Sequence, residues 1–195
     1  MVRHGKKAYY ATSNMMETKI FGDKKITIRT IKKSDIANAR KFQQYINSLV
    51  EEDAKILMYK RASAQEEKTF IEMVFKGVKN KTRVHLIAEC DGKIIATTGI
   101  EQGRLRRNHI GTFGIAIVKG YRGLGLGKFL MSEIINLAKK DLKPKPRIIQ
   151  LEAFANNKPA ISLYKKMGLK IVTNVPKQIQ YKGKLISETI MMKEI

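Results

Sequence analysis

The sequence contains few of the residues that form disulfides or bind metals, since Cys90 is its single cysteine and only three histidines occur in 195 residues. Tryptophan is absent as well, and there are only four prolines. One cysteine cannot form an internal disulfide, and cysteine and histidine are too sparse for the ligand spacing of a zinc site. We therefore expect no metal, and a cytoplasmic protein that is held together by an apolar core.

Long apolar runs are missing as well. No segment approaches the roughly 18 consecutive apolar residues that are needed to span a bilayer. The basic opening segment 1–16 is not followed by the apolar stretch of a secretion signal. The sequence therefore predicts a soluble protein without a membrane partner, and its 43% hydrophobic content suits one domain with a real core.

Acidic residues are scarce, since 17 Asp and Glu stand against 39 Lys and Arg, which gives a formal net charge of +22. The lysines are scattered, which is typical of a solvated surface, but a surplus this large attracts polyanions. Arg104, Arg106 and Arg107 form a short basic patch. A nucleic-acid-binding module without catalysis is therefore one hypothesis, although no RNA-binding aromatic motif accompanies the patch.

The hydrophobic pattern predicts a mixed sheet with helices packed on it. Regular periodicity begins near residue 25, and the predicted order is β–α–α–β–β–β–α–β–α–β–β. The Asp91-Gly92 pair predicts a tight hairpin, and Ser34 is predicted to cap the first helix. We expect a single α/β, or layered α+β, domain over residues 25–195 with about six to seven strands and about four helices. Residues 1–24 form an extension whose packing the pattern leaves open.

Two apolar strands, near residues 110–118 and 148–154, are separated by an amphipathic helix. A helical crossover of this kind enforces parallel pairing of its two strands. The segment that enters the helix is rich in glycine and reads Val118-Lys-Gly-Tyr-Arg-Gly-Leu-Gly-Leu-Gly-Lys128. Glycines at a helix start expose backbone amides, which hold phosphate oxygens together with the helix dipole. A phosphate-bearing ligand is therefore expected at residues 118–128.

The spacing of the glycines separates the classes of phosphate ligand. A dinucleotide fingerprint, G-x-G-x-x-G, fails in both registers because Lys128 and Leu130 stand where its third glycine is required. A Walker loop also fails, because Gly127-Lys128 is followed by Phe129 and Arg122 occupies the position of the first glycine. Hydride transfer and nucleotide hydrolysis therefore become minor alternatives.

The pattern Arg-x-x-Gly-x-Gly, formed by Arg122, Gly125 and Gly127, resembles the acyl-CoA pyrophosphate loop of the GNAT superfamily of N-acyltransferases. A second block, residues 151–168, resembles that family's L-x-V-x-x-x-N-x-x-A-I-x-L-Y-x-x-x-G-F motif, with two conservative apolar changes at Ala153 and at the following Leu169. The two blocks follow the family's order and spacing. The resemblance implies a GNAT-like sheet in which two parallel strands splay apart to admit the cofactor arm.

The same resemblance implies the reaction partners. Acetyl-CoA is the expected cosubstrate, and the expected acceptor is a primary amine of a protein N-terminus or of a small molecule, with monomer and homodimer both compatible. A CoA-sensing module without catalysis is the alternative within this family. The residues that match the family's cofactor site are Ile115, Ala116, Ile117, Val118, Arg122, Gly123, Leu124, Gly125, Leu126, Gly127, Lys128, Asn157 and Tyr164.

Two of these positions carry more specific expectations. Tyr164 matches the family tyrosine that protonates or hydrogen-bonds the CoA sulfur, and a phenol with an ordinary pKa near 10 can donate to a thiolate. Asn157 matches the family asparagine beside the cofactor arm and suits an ordinary helix N-cap equally well. The backbone amide of Ile117 or a neighbour is the expected donor to the developing oxyanion.

The general base is less constrained by the sequence. Glu152 lies on the predicted strand 148–154, at a position where related N-terminal acetyltransferases place a polar group near the amine. Glu101 ends the strand before the basic patch and is ranked equally, and either carboxylate can act through water. His109, with an ordinary pKa near 6.5, ranks third.

Overall fold

A computed structural model of the chain describes residues 15–195, so that the first fourteen residues of the predicted extension lie outside the described part. The described residues form one eight-stranded sheet with the order β1-β2-β3-β4-β5-β6-β8-β7. The strands are β1 (Met16–Phe21), β2 (Lys24–Thr30), β3 (Arg83–Cys90), β4 (Lys93–Gln102), β5 (Ile110–Ile117), β6 (Ile148–Phe154), β7 (Lys170–Tyr181) and β8 (Lys184–Glu194).

Five α-helices connect and cover these strands. They are α1 (Ser34–Ala37), α2 (Ala39–Glu51), α3 (Ala64–Lys79), α4 (Leu126–Asp141) and α5 (Lys158–Lys166), and a short 3-10 turn spans Leu105–Arg107. One buried cluster joins α4 and Tyr164 of α5 to one face of the sheet, and a second joins α2 and α3 to the other face. The site residues therefore stand on a sheet that is packed from both sides.

Strands β5 and β6 form the parallel pair predicted from the sequence, and in the described sheet every other pairing is antiparallel. Their pairing stops after three positions, at Thr112 and Gln150. Beyond these residues the strands diverge and leave a gap between their carboxyl-terminal halves, which we call the strand cleft. The predicted splayed pair is thus confirmed.

The sheet contains one strand more than the six to seven expected. Strand β1 lies within the segment assigned to the extension and pairs with β2 in antiparallel fashion, from Met16 opposite Arg29 to Phe21 opposite Lys24. Its side chains lack a buried face, and Ile20 is 75% exposed. Without a buried stripe the strand shows no hydrophobic periodicity, which is why the sequence pattern did not reveal it.

The first predicted helix is divided at Asn38 into α1 and α2, and this division supplies the fifth helix. Ser34 does not act as the predicted cap, because it is the first helical residue and no side chain caps α1. Asp35 instead accepts the Lys32 amide at 2.7 Å and the Arg29 guanidinium at 2.8 and 2.9 Å. A buried ion pair therefore fixes this turn where a hydroxyl cap was expected.

The predicted hairpin turn at Asp91-Gly92 is confirmed. Asp91 and Gly92 both have positive φ, at 49° and 73°, as a type I′ hairpin turn requires. Ser63 and Glu66 form a capping box at the start of α3, in which each side chain accepts the other residue's backbone amide. These short-range contacts fix the positions at which the sheet and the helix begin.

His85 on β3 leads to a prediction about acid stability. Desolvation by burial, followed by the nearby Arg83 charge, lowers the pKa of His85 to about 4, against about 6.5 in an unfolded chain. The native state then binds fewer protons than the unfolded state between these two values. We expect the contribution of His85 to the free energy of unfolding to be fully present above pH 6.5. As the pH falls to 4, this contribution is lost and the free energy of unfolding drops by up to about 3 kcal/mol. Below pH 4, His85 causes no further change.

Urea unfolding between pH 4 and 7 checks this expectation. His85→Gln should show a shallower pH dependence than the wild type, whereas His109→Gln, which also removes one histidine, should keep the wild-type slope. A folded-state NMR titration that finds the His85 imidazole charged at pH 5.5 would contradict the prediction.

Candidate active site

The strand cleft exposes one edge of β5. The Val118 amide donates to Ile95 of β4 at 2.9 Å, and Ala116 and Gly114 lie opposite residues of the same strand. Successive amides of a strand point in opposite directions, so the amides of Ile115 and Ile117 face the cleft. An extended ligand that carries amide groups of its own can pair with this edge as an added strand.

The glycine loop follows at the open end of the cleft. Gly120, Gly123 and Gly125 have φ values of 89°, 79° and 86°, a left-handed conformation that side chains rarely adopt. A Cβ built on any of the three meets no atom within 4 Å, so the space beside each of these glycines is open. Among the described residues, the amides of residues 122–128 make no backbone–backbone hydrogen bonds. The loop therefore presents free donors at a helix start, which fits a pyrophosphate group.

Gly127 has a different environment from the other loop glycines. A Cβ at this position would lie 3.1 Å from Leu163 of α5 and 3.4 Å from Ile117 of β5. The missing side chain allows the first turn of α4 to approach α5 closely. Gly127 thus brings the glycine loop next to the helix that carries Tyr164.

Glu52, which the sequence analysis did not identify, holds the glycine loop in place. Its carboxylate accepts the Lys119 amide at 2.8 Å and also binds the Arg122 guanidinium. Arg122 in turn donates through Nε to the Ile117 carbonyl at 2.6 Å. The arginine of the motif is therefore anchored to the end of α2 and to β5, and the 70 residues between Glu52 and Arg122 explain why no local pattern revealed the pair.

The residues after Glu52 join the elements around the open end of the cleft. The Asp53 carbonyl accepts the Tyr181 hydroxyl at 3.0 Å, and the Lys55 ammonium donates to the Asn156 carbonyl at 3.0 Å. We call residues 52–55 the clasp. It links the end of α2 to the glycine loop, to the β6–α5 turn and to the β7–β8 hairpin.

The segment between the clasp and α3 is held by hydrogen bonds at Ala62, just before α3. Asn47 accepts the Ala62 amide at 2.7 Å and donates to the Ala62 carbonyl at 3.1 Å. The 56–61 loop lies between these two fixed points and carries three exposed large apolar side chains. They are Leu57, Met58 and Tyr59.

Tyr164 lies on α5 and is 7% exposed. Its ring contacts Phe113 of β5 edge to face, with a centroid separation of 6.1 Å. Burial raises the pKa of Tyr164 to about 12. The phenol therefore stays protonated across the physiological range and can act as a hydrogen donor but not as a base.

Asn157 stands at the cap position of α5, yet its side chain accepts no helix amide. Its own backbone amide donates to the Phe154 carbonyl at 2.8 Å, and its carbonyl accepts the Ile161 amide at 3.0 Å. The N-cap prediction is therefore correct for the position and wrong for the side-chain bond. The Asn157 carboxamide therefore does not cap the helix.

Two carboxylates share the sheet face opposite α4. Glu152 is exposed on β6, where the Gln150 amide approaches it at 3.5 Å. Glu188 on β8 is only 9% exposed and lies two residues from Ile190, the residue paired with Glu152. Desolvation, followed by the Glu152 charge, raises the pKa of Glu188. The sequence analysis missed Glu188, although a carboxylate in the middle of a predicted strand was a detectable irregularity.

Glu101 lies at the other end of the parallel pair. It stands opposite Thr112, where β5 and β6 are still paired, and its carboxylate binds Arg83. His109 precedes β5 at this same closed end. The register thus places Glu152 on the diverging half of β6, with Glu188 opposite Phe154, and leaves Glu101 beside the closed end of the cleft.

Within residues 15–195, the histidine, cysteine and acidic side chains form no group of three that could hold a metal ion. Over the same residues, each helix is too short or too polar to cross a membrane.

Comparison with known sequences places these features in a family. A sequence profile described as "Acetyltransferase (GNAT) family" matches residues 46–169, which is more than half of the chain. An L-amino acid N-acetyltransferase of Escherichia coli is 36% identical over 87 residues, or 44% of this chain and 52% of that protein. The chain therefore spans about half the length of this relative.

Two further comparisons cover more of the chain. An N-alpha-acetyltransferase of Sulfurisphaera tokodaii is 27% identical over 151 residues, which is 71% of this chain and 87% of that protein. Among solved structures, an acetyltransferase from Streptococcus pneumoniae superimposes with a TM-score of 0.74 and 26% identity. That superposition covers 87% of this chain and 99% of the other.

Proposed function

Because the chain belongs to the acetyltransferase (GNAT) family, we propose that it transfers the acetyl group of acetyl-CoA to a primary amine. The observation that carries this proposal is the continuity of the strand cleft with the glycine loop. The β5 edge offers amides to an extended arm, and the loop at its end offers free amides to a pyrophosphate. Both halves of the ligand thus find donors along one path.

Acetyl-CoA supplies a thioester carbon that a neutral amine can attack. The Ile117 amide, which faces the cleft, is positioned to donate to the carbonyl oxygen as negative charge develops there. Glu152 accepts the proton that the amine gives up, directly or through water, and Glu188, whose pKa is raised by desolvation and by Glu152, lies on the same face. Tyr164 keeps its proton and donates a hydrogen bond to the departing sulfur.

The acceptor class follows from the same face of the sheet. The Glu152 carboxylate on this face attracts a cationic ammonium group, and the exposed side chains of the 56–61 loop directly follow the clasp. The two relatives are named for L-amino acids and for N-alpha acetylation, and an α-amino group is what these acceptors have in common. We therefore propose an α-amino group, of a free amino acid or of a peptide N-terminus, as the acceptor.

A thiol-release assay over free amino acids, short peptides and simple amines tests the proposal. We expect release of CoA that saturates with an α-amine and is slower with amines that lack an α-carboxyl or α-carbonyl group. The absence of acetyl-CoA binding by calorimetry would rule out the reaction. Binding without turnover on any amine would favour a CoA-sensing module.

The roles of the two candidate carboxylates can be separated by paired variants. Glu152→Gln should lower kcat by about ten-fold near neutral pH and recover part of the loss as the amine deprotonates at higher pH. Glu101→Gln, the matched change at the closed end, should leave the pH profile of kcat unchanged. The reverse pattern would make Glu101 the general base. An unchanged pH profile of kcat in both variants would leave His109 or water as the proton acceptor.

A further inference from the structure

Two loops lie side by side at the closed end of the β5–β6 pair, namely residues 103–109 and 142–147. The buried side-chain amide of Gln102 donates to the Asn108 carbonyl at 2.9 Å and to the Pro144 carbonyl, so it bridges both loops. The Arg147 amide also donates to the His109 carbonyl at 2.8 Å. The loops therefore form one rigid surface, which we call the basic end.

The basic end contains no acidic residue in either loop. Its cations are exposed, and within the described residues none of them forms a salt bridge. They are Arg104, Arg106, Arg107, Lys143, Lys145 and Arg147. The neighbouring carboxylates are Glu101, which binds Arg83, Asp141 at the end of α4, and Glu194 opposite Ile148. Positive charge therefore dominates this surface.

This surface is separate from the proposed acetyl-CoA site. Strand β5 runs from the basic end to the glycine loop, and its eight residues span about 25 Å at 3.3 Å per residue. At physiological ionic strength the Debye length is about 8 Å, so that the six cations contribute little to binding at the glycine loop. The clustering of these six cations at the closed end therefore suggests a ligand other than acetyl-CoA.

We propose that the basic end binds the phosphate backbone of single-stranded RNA. Four of its six cations are arginines, whose planar guanidinium groups bind phosphate in bidentate fashion and stack on unpaired bases. Leu105, which is 89% exposed and has a φ of 53°, stands between the arginines and offers an apolar contact to such a base. The two loops present no long helix or ribbon to enter the major groove of DNA. One exposed leucine is also too little apolar area to anchor a bilayer.

Fluorescence anisotropy with a labelled, unstructured 20-nucleotide RNA tests this assignment. Arg104→Gln/Arg106→Gln/Arg107→Gln should raise Kd by about ten-fold or more and reduce the slope of log K against log salt by about two, as expected for three lost phosphate contacts on a single strand. Lys25→Gln/Lys41→Gln/Lys93→Gln removes the same charge from exposed lysines around the β3–β4 turn and should leave Kd within about two-fold. Lys143→Gln/Lys145→Gln/Arg147→Gln should reproduce the arginine result.

Each remaining outcome counts against the proposal. Equal losses in the loop and control variants would show that RNA binding depends on diffuse charge. Stronger binding to a DNA duplex, or arginine-dependent sedimentation with phosphatidylserine vesicles without RNA binding, would assign the surface to another partner. The arginine variant should keep wild-type acetyl transfer, which separates this test from that of the proposed function.

Discussion

Gly125→Ala is expected to weaken acetyl-CoA binding by about a hundred-fold or more in a protein that still folds. Gly125 is the cap residue of α4, and a Cβ added to it would enter open space beside the free amides of the glycine loop. A methyl group there displaces the pyrophosphate from at least two amides. Hydrogen bonds to charged groups contribute about 1.5 to 3 kcal/mol each, so the loss of two costs about 3 kcal/mol or more.

The control for Gly125→Ala is Gly92→Ala. Gly92 also has a positive φ, 73°, and open surroundings, but it lies in the β3–β4 turn outside the glycine loop. Both variants should lose about 1 kcal/mol of stability from left-handed backbone strain. Only Gly125→Ala should lose affinity in a calorimetric titration with CoA. Unchanged affinity in that variant would mean that the glycine loop is not the phosphate site.

Tyr164→Phe is expected to lower kcat by about ten- to a thousand-fold while the KM for acetyl-CoA stays nearly constant. The ring is buried against Phe113, so phenylalanine keeps the packing and removes only the hydroxyl. Because burial raises the pKa of this phenol to about 12, its proton is held firmly and supports the leaving sulfur through a hydrogen bond.

Steady-state kinetics with an identified acceptor measures this effect. Tyr59→Phe makes the same chemical change at a position that is 78% exposed and should leave kcat with acetyl-CoA within about two-fold, since only the buried Tyr164 is proposed to bind the sulfur. Wild-type turnover in Tyr164→Phe across the pH range would reduce Tyr164 to a packing residue.

The sequence was informative where function and backbone geometry depend on neighbouring residues. The crossover from β5 through α4 to β6 dictated the parallel pair, and alternating glycines before α4 revealed the amide-lined loop. Turn chemistry at Asp91-Gly92 placed a hairpin correctly. In each case a short local pattern determines the conformation.

The sequence was uninformative where residues far apart in the chain meet. Glu52 reaches Arg122 across 70 positions, and Glu188 approaches Glu152 through strand register. Glu101 ranked equally with Glu152 until the register placed it at the closed end beside Arg83. Strand β1 escaped detection for a different reason, since it has no buried face. Distances across a sheet require the register, which composition and spacing do not contain.

The two fixed points around the 56–61 loop affect how this chain can evolve. Because Asn47 holds Ala62 and Glu52 holds the glycine loop, the exposed residues 57–60 can change without disturbing either anchor. Surface substitutions of this kind usually alter stability by less than about 0.5 kcal/mol. Lineages that descend from such a chain can therefore vary these four exposed positions by drift, while both anchors are inherited intact.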